Sequence, residues 1–194
     1  MTNRRANPHA QNTGRSLDYA QSQFENFWGS PQAEAEERIR HVLRFFTENS
    51  SNKDGSTEDR FETAGLRLVT LKSASLDTRS ATFSLTIPPQ LCSKFRTLHG
   101  AASAMLLDML TSACLSMIAK PGYLDAGHVT RSLIMTYLRP VQEGEKVEVE
   151  CRIVATGKHI VNLSGEIKTL DGKICVSCVH DKVILEKAPP TSKL

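Results

Sequence analysis

The stretch from Leu98 to Ala119, LHGAASAMLLDMLTSACLSMIA, constrains this chain more than any other part of it. From Ala101 onward it is built of Ala, Leu, Met, Ile, Ser, Thr and Cys, with Asp108 as its one charged residue. The run reads as a helix apolar on every face, and such a helix must be covered on nearly all sides. It falls short of the roughly 20 uninterrupted apolar residues of a membrane span and carries a carboxylate at its centre. The expectation is a soluble fold with a sheet wrapped around the helix, and no segment reads as transmembrane. The His-Gly opening leaves backbone N–H groups unpaired at the positive end of the helix dipole, a place suited to a carbonyl oxygen that is becoming negative.

The flanking sequence supplies the sheet. Phe83, Leu85 and Ile87 alternate with Thr82, Ser84 and Thr86 before Pro88-Pro89, and Leu66 to Leu76 is a plausible partner strand across the turn at Asp77 to Ser80. Pro121-Gly122 stops the helix. His128 to Leu138, Lys146 to Ala155, Ile160 to Thr169 and Ile174 to Leu185 then read as a meander. In the second of these, Val147, Val149, Cys151 and Ile153 face one way while Lys146, Glu148, Glu150 and Arg152 face the other. Asp171-Gly172 marks the last hairpin. The order of strands, one buried helix and more strands gives an α+β architecture, an antiparallel sheet wrapped around a long central helix. Such a sheet leaves one side of the helix uncovered, and pairing with a second copy is the natural remedy.

The reading divides the chain into three parts. Residues 1–60 form an N-terminal extension: a polar, disordered tail, a helix at about 31–49 and a linker at 51–60. Phe24, Phe27 and Trp28 mark a docking spot near the end of the tail. Ser30-Pro31 reads as an N-cap with a first-turn proline, and Ile39, Val42, Leu43 and Phe46 make one apolar stripe. Strand character is expected from Phe61, with the main domain at 61–187 and a tail at 188–194. A net charge of +3 with interspersed signs gives no support to a nucleic-acid surface. Five scattered cysteines in apolar runs suggest reduced core thiols in an intracellular compartment. Cys175 and Cys178 are spaced like metal ligands, but they lie in a strand-like run with no second pair to complete a tetrahedral set.

By residue chemistry alone Asp108 is either a catalytic acid or a structural one bonded to Thr111 or Ser112. His99 is either a capping residue or a catalytic one, Gly100 either an oxyanion donor or a concession to close packing, and Thr130 either a functional hydroxyl or a strand former. Burial is expected to push the Asp108 pKa upward and make it a stronger base. His128, His159 and His180 carry no separable signal.

The motif LHGAASAMLLD, with an acid eight residues after the glycine, and the later TYLRPVQEG resemble the hotdog-fold thioesterases of the phenylacetate-pathway and thioesterase superfamily member 2 branch. The resemblance covers about residues 61–187 and implies an acyl-CoA thioesterase. It implies that the backbone N–H of Gly100 polarises the thioester carbonyl, that Asp108 is nucleophile or general base, that His99 shapes the helix start and that Thr130 places the water. It also implies a homodimer or homotetramer, because eight helical residues span about 12 Å and only a two-fold partner brings Asp108 to Gly100. No metal or redox cofactor is needed, coenzyme A being part of the substrate. Arg139 and Lys158 are candidates for its phosphates. Where relatives carry an asparagine six positions before the histidine this chain has Ser93, so a non-hydrolysing acyl-CoA binder stays open, as does a hotdog enoyl-CoA hydratase or dehydratase. Ala101 replaces the usual second glycine.

The sequence ends Ser192-Lys193-Leu194 after Pro189-Pro190, a peroxisomal address read by the import receptor. The expected location is the peroxisome, with the cytoplasm as the alternative. A fluorescent reporter ending in residues 188–194 should co-localise with peroxisomes by microscopy, and deleting Leu194 should return it to the cytosol.

Overall fold

The computed structural model describes residues 24–48 and 61–186. The expected tail, the linker and the terminal Ser192-Lys193-Leu194 lie outside the described residues. In chain order the elements are helix α1 (Ala35–Glu48), helix α2 (Phe61–Leu66), strands β1 (Thr70–Ser75) and β2 (Ser80–Thr86), helix α3 (Gly100–Cys114), then β3 (His128–Tyr137), β4 (Lys146–Thr156), β5 (Ile160–Thr169) and β6 (Ile174–Ile184). A 3-10 turn, Leu115–Met117, extends α3. The six strands form one antiparallel sheet in the order β1-β2-β4-β5-β6-β3.

The helix and the sheet pack as their sequences dictate. Leu106, Leu107, Leu110, Cys114 and Leu115 are completely buried, as are Val147, Val149 and Cys151 on the inward face of β4. By length and composition Gly100–Met117 is apolar enough to cross a membrane, unlike the reading from sequence, but here most of it is buried inside the fold. Its outward line is less covered: Ala101 is exposed, while Ala104, Asp108 and Ser112 are half-buried. The expected uncovered side of the helix is therefore present in the protomer.

Close approach of helix to sheet depends on Gly165 in β5. A Cβ there would lie 2.8 Å from Leu107 Cδ2, 3.0 Å from Thr111 Cγ2 and 3.2 Å from Cys178 Sγ. Two of these three atoms sit on α3, so any side chain at 165 pushes the helix off the strand.

The N-terminal residues differ from expectation in two places. The helix starts at Ala35 and not after Ser30, because Ser30 closes a local turn: its carbonyl accepts from Ala33 N at 3.1 Å and its hydroxyl donates to Gln32 Oε1 at 2.9 Å. Phe61–Leu66 is helical, and the first strand is confined to Thr70–Ser75. Thr63 anchors that helix by donating to the Phe46 carbonyl at 3.0 Å. The aromatic spot docks as expected: Phe24 and Trp28 are 3% and 2% exposed, within the same apolar cluster as α3.

Arg38 ties α1 to the far end of the central helix. It is buried, its Nη1 donates to the Met117 carbonyl at 3.0 Å and its Nη2 to the Ala119 carbonyl. A cation on the last carbonyls complements the negative end of the dipole.

Replacing Gly165 with Ala should lower stability by about 1–3 kcal/mol through overpacking, read as a reduced urea midpoint at unchanged m-value.

Candidate active site

Asp108 points from the middle of α3 toward the end of β6 and the start of β3. Its Oδ1 accepts from Lys182 Nζ at 2.9 Å and from Thr130 Oγ1 at 3.2 Å. The strand register sets this up. Thr130 pairs with Lys182 across the β3–β6 ladder, and an irregularity between Thr130 and Ser132 restarts the pairing at Ser132 opposite Asp181. A bulge beside a site re-aims one side chain.

Lys182 also donates to Thr130 Oγ1 at 2.8 Å, and its side chain is only 5% exposed. Behind Thr130 lies His180, fully buried, with Nε2 3.2 Å from Thr130 Oγ1 and Nδ1 2.8 Å from Thr111 Oγ1. The Thr111 hydroxyl gives its proton to the Leu107 carbonyl at 2.6 Å, so it accepts from the imidazole. That assigns the Nδ1–H tautomer from the network, and leaves Nε2 and Asp108 Oδ1 to share the one hydroxyl proton of Thr130. Burial, reinforced by the neighbouring Lys182, pushes the His180 pKa down to about 4, so the ring is neutral at pH 7.

The expectation for Asp108 itself is reversed. Burial does push its pKa upward, but the hydrogen bond and charge of Lys182 outweigh it, helped by Thr130, and the net shift is downward. The carboxylate is more persistent and less basic than the sequence suggested. The reason is Lys182, which the sequence reading did not single out. The signal was there: Val176, Cys178, His180, Lys182 and Ile184 all have inward parity on β6, so two titratable residues stand on an apolar face. An inward-facing lysine on a strand requires a partner.

At the other end of the helix, His99 is the N-cap: its Nδ1 accepts from Ala101 N at 3.0 Å. This fixes the helix start; the imidazole beside Asp108 is that of His180, whose Nε2 lies 3.4 Å from Oδ1. The Gly100 N–H belongs to the first turn, whose amides have no intrahelical acceptor. A Cβ at Gly100 would meet only the Tyr137 ring, at an ordinary 3.5 Å. Packing within the protomer therefore does not demand glycine here, and the close-packing reading of Gly100 loses its support. Tyr137 donates its hydroxyl to the Gly100 carbonyl at 3.0 Å, further anchoring this end.

The remaining candidates fall in different places. Ser93 is occupied in its own turn: its Oγ lies 3.2 Å from Thr97 Oγ1 and accepts from Phe95 N at 3.2 Å. Arg139 lines a cavity of about 260 Å³ beside Gly100 and donates to the Ile174 carbonyl at 2.6 Å. Lys158 lines a separate cavity with Ile118 and Lys120, at the C-terminal end of the central helix. One protomer does not bring Arg139 and Lys158 together. Among the described residues no group of three or more His, Cys, Asp or Glu is arranged to hold a metal ion.

A single antiparallel sheet across one long helix, with an acid at mid-helix and a glycine at its start, defines the hotdog class. Residues 95–176, which contain Gly100, Asp108 and Thr130, match the family model of the thioesterase superfamily. The Caenorhabditis elegans protein named "Putative esterase F42H10.6" is 28% identical over 97 residues, covering 50% of this chain and 55% of that protein. The chain thus matches about half the length of this curated relative. Mouse thioesterase superfamily member 2 superposes with a TM-score of 0.64 at 22% identity, over 79% of this chain and all of that one. A hypothetical thioesterase of Streptococcus pneumoniae, solved with coenzyme A, superposes with a TM-score of 0.53 at 11% identity, over 62% and 88% of the two chains.

The depressed histidines give a pH dependence of stability. Burial is the first cause of the shift to about 4 for His128 as well, and its Nδ1 has no hydrogen-bond partner. Unfolded, each would titrate near 6.5, so between pH 6.5 and 4 the unfolded state binds up to two more protons and stability falls as pH falls. The folding constant should drop by up to about a hundredfold per pH unit in that window, measured by urea titration. His180→Gln should reduce the limiting slope to about tenfold per pH unit.

Proposed function

We propose that this protein is an acyl-CoA thioesterase that works as a homodimer or a dimer of dimers, with each site made from two protomers. The observation that carries this reading is Asp108, held ionised by Lys182 and Thr130 on the uncovered face of α3. At 37% exposure it is reachable from solvent while remaining fixed.

The distance along the helix argues for two copies. Eight residues at 1.5 Å each separate the Gly100 amide from Asp108 by about 12 Å, beyond the reach of one carbonyl. A two-fold partner lying antiparallel along the uncovered line brings the start of one helix to the acid of the other. Strand β3 supports such pairing. It is a free sheet edge of ten residues with Val129, Ile134 and Tyr137 exposed at 49%, 63% and 55%. Long apolar edges of this kind are ordinarily covered by another strand.

In this arrangement the Gly100 N–H of one protomer donates to the thioester oxygen, where negative charge develops. Asp108 of the other either attacks the carbonyl carbon, expelling the thiolate and leaving a mixed anhydride that water then cleaves, or deprotonates a water that attacks the thioester itself. The lowered pKa of Asp108 keeps it charged across the working range, as either role requires. Thr130, already bonded to the carboxylate, steadies the water. The thiolate leaves readily, so no strong general acid is required. Arg139, beside Gly100, is the better placed of the two cations for a coenzyme A phosphate. A role in peroxisomal lipid metabolism accompanies this proposal through Ser192-Lys193-Leu194.

Ser93 favours a second reading. With its hydroxyl engaged by Thr97 and Phe95, only the Gly100 amide is on hand for the carbonyl oxygen, and a protein that holds acyl-CoA without cleaving it fits that geometry. Thiol release from acyl-CoA decides between them. Asp108→Asn should lower kcat by about 10²–10⁴-fold while size-exclusion chromatography shows the assembly unchanged. Unaltered turnover refutes the assignment of Asp108, and tight binding with no thiol release from the unmodified protein establishes the binder.

A further inference from the structure

Asp108 also lines a second cavity, of about 290 Å³, that opens away from the helix start. Two distant parts of the chain build it. Met109 of α3 and Val129 of β3 belong to the hotdog layer, whereas Phe27, Trp28 and Phe46 come from the N-terminal segment. These aromatics form one continuous wall: Phe27 packs edge-on against Trp28 and Phe46 with ring centroids 4.7 and 5.9 Å apart. Trp28 is pinned by donating its indole N–H to the Leu124 carbonyl at 3.0 Å.

We propose that this cavity receives the acyl chain and that the N-terminal segment sets the longest chain it admits, an inference that rests on Asp108 acting at the thioester carbon. A carbonyl carbon at Asp108 can send its apolar substituent to solvent, along the partner helix or into this cavity, and of these the cavity offers the aromatic wall that buries it. Taking about 30 Å³ for a water-sized group, the space holds on the order of ten such groups. The substrate class is therefore an acyl group of up to about ten carbons, straight or ending in an aryl ring. Glu62 adds a negative charge to the lining and Lys182, its cation, is already paired with Asp108, so a chain ending in a carboxylate would lose its hydration without a replacement and is rejected.

Trp28 is the only tryptophan in the chain, so its emission reports occupancy directly. The test titrates the full-length protein with S-alkyl-CoA thioethers of four to sixteen carbons, which bind but are not cleaved. Each added methylene should tighten binding about fourfold until the cavity is filled near ten carbons, after which affinity stops rising. Phe46→Ala should move that ceiling out by about three carbons, each taking roughly 30 Å³. Ser112→Leu, which lines the cavity from α3, should move it inward, and it serves alone if the first variant does not fold. An ω-carboxylated ten-carbon thioether should bind at least tenfold more weakly than its methyl-ended counterpart.

Affinity that climbs without a break to sixteen carbons, or a ceiling unmoved in both variants, overturns the inference. Because the thioethers are not hydrolysed, the ladder is independent of turnover. An intact ladder with no thiol release from acyl-CoA removes the thioesterase reading and leaves the chain-length pocket standing; turnover without the ladder removes only the pocket.

Discussion

A lysine on the inward face of β6 and an aspartate on an otherwise apolar helix neutralise each other across the seam between helix and sheet. Of the two, the lysine is the more enclosed. Lys182 has 5% of its side chain exposed, and an ammonium so enclosed requires a paired anion. Removing one partner from a buried ion pair typically costs about 3–5 kcal/mol, and less applies here because Asp108 keeps access to water. The pairing fixes the angular position of α3 and the register of β3 against β6, since both must present their polar groups at one point.

The pairing also decides what the acid can do. An isolated carboxylate in an apolar setting would be pushed toward protonation, whereas one facing a lysine and a threonine hydroxyl stays charged and loses basicity. The neutral His180 behind Thr130 extends the network into the core, where Thr111 passes the chain of hydrogen bonds back to the helix backbone. A charge held at the helix midpoint and a free amide at its start lie too far apart to work on one carbonyl. The geometry of the site and the case for a second protomer are thus one argument.

The N-terminal helices are part of this core. Arg38 closes the carbonyl end of the central helix, while Trp28 and Val42 join the cluster that buries it. The cavity beside Asp108 exists only because this segment stands against α3 and β3. The part of the chain least like a hotdog domain therefore shapes the space in which that domain would act.

The layers follow from residue pattern alone. A helix apolar on all faces, strands alternating with period two and turn residues between them leave few architectures, and the inward set Val147, Val149, Cys151 and Ile153 is read directly from alternation. Asp108 was legible because a single charge in an apolar run stands out, whereas His99 stayed open between capping and catalysis until its Nδ1 was seen to accept from Ala101 N. The helical character of Phe61–Leu66 was not legible, because six residues are too few to show a period and their anchor is the carbonyl of Phe46, far along the chain. Thr130 was expected near the acid, but the placing of Lys182 and His180 around it comes from the fold. Lys182, Thr130 and His180 come from strands 22 to 74 positions away, and it is strand register, not local spacing, that sets Lys182 opposite Asp108 and so fixes the sign of its pKa shift.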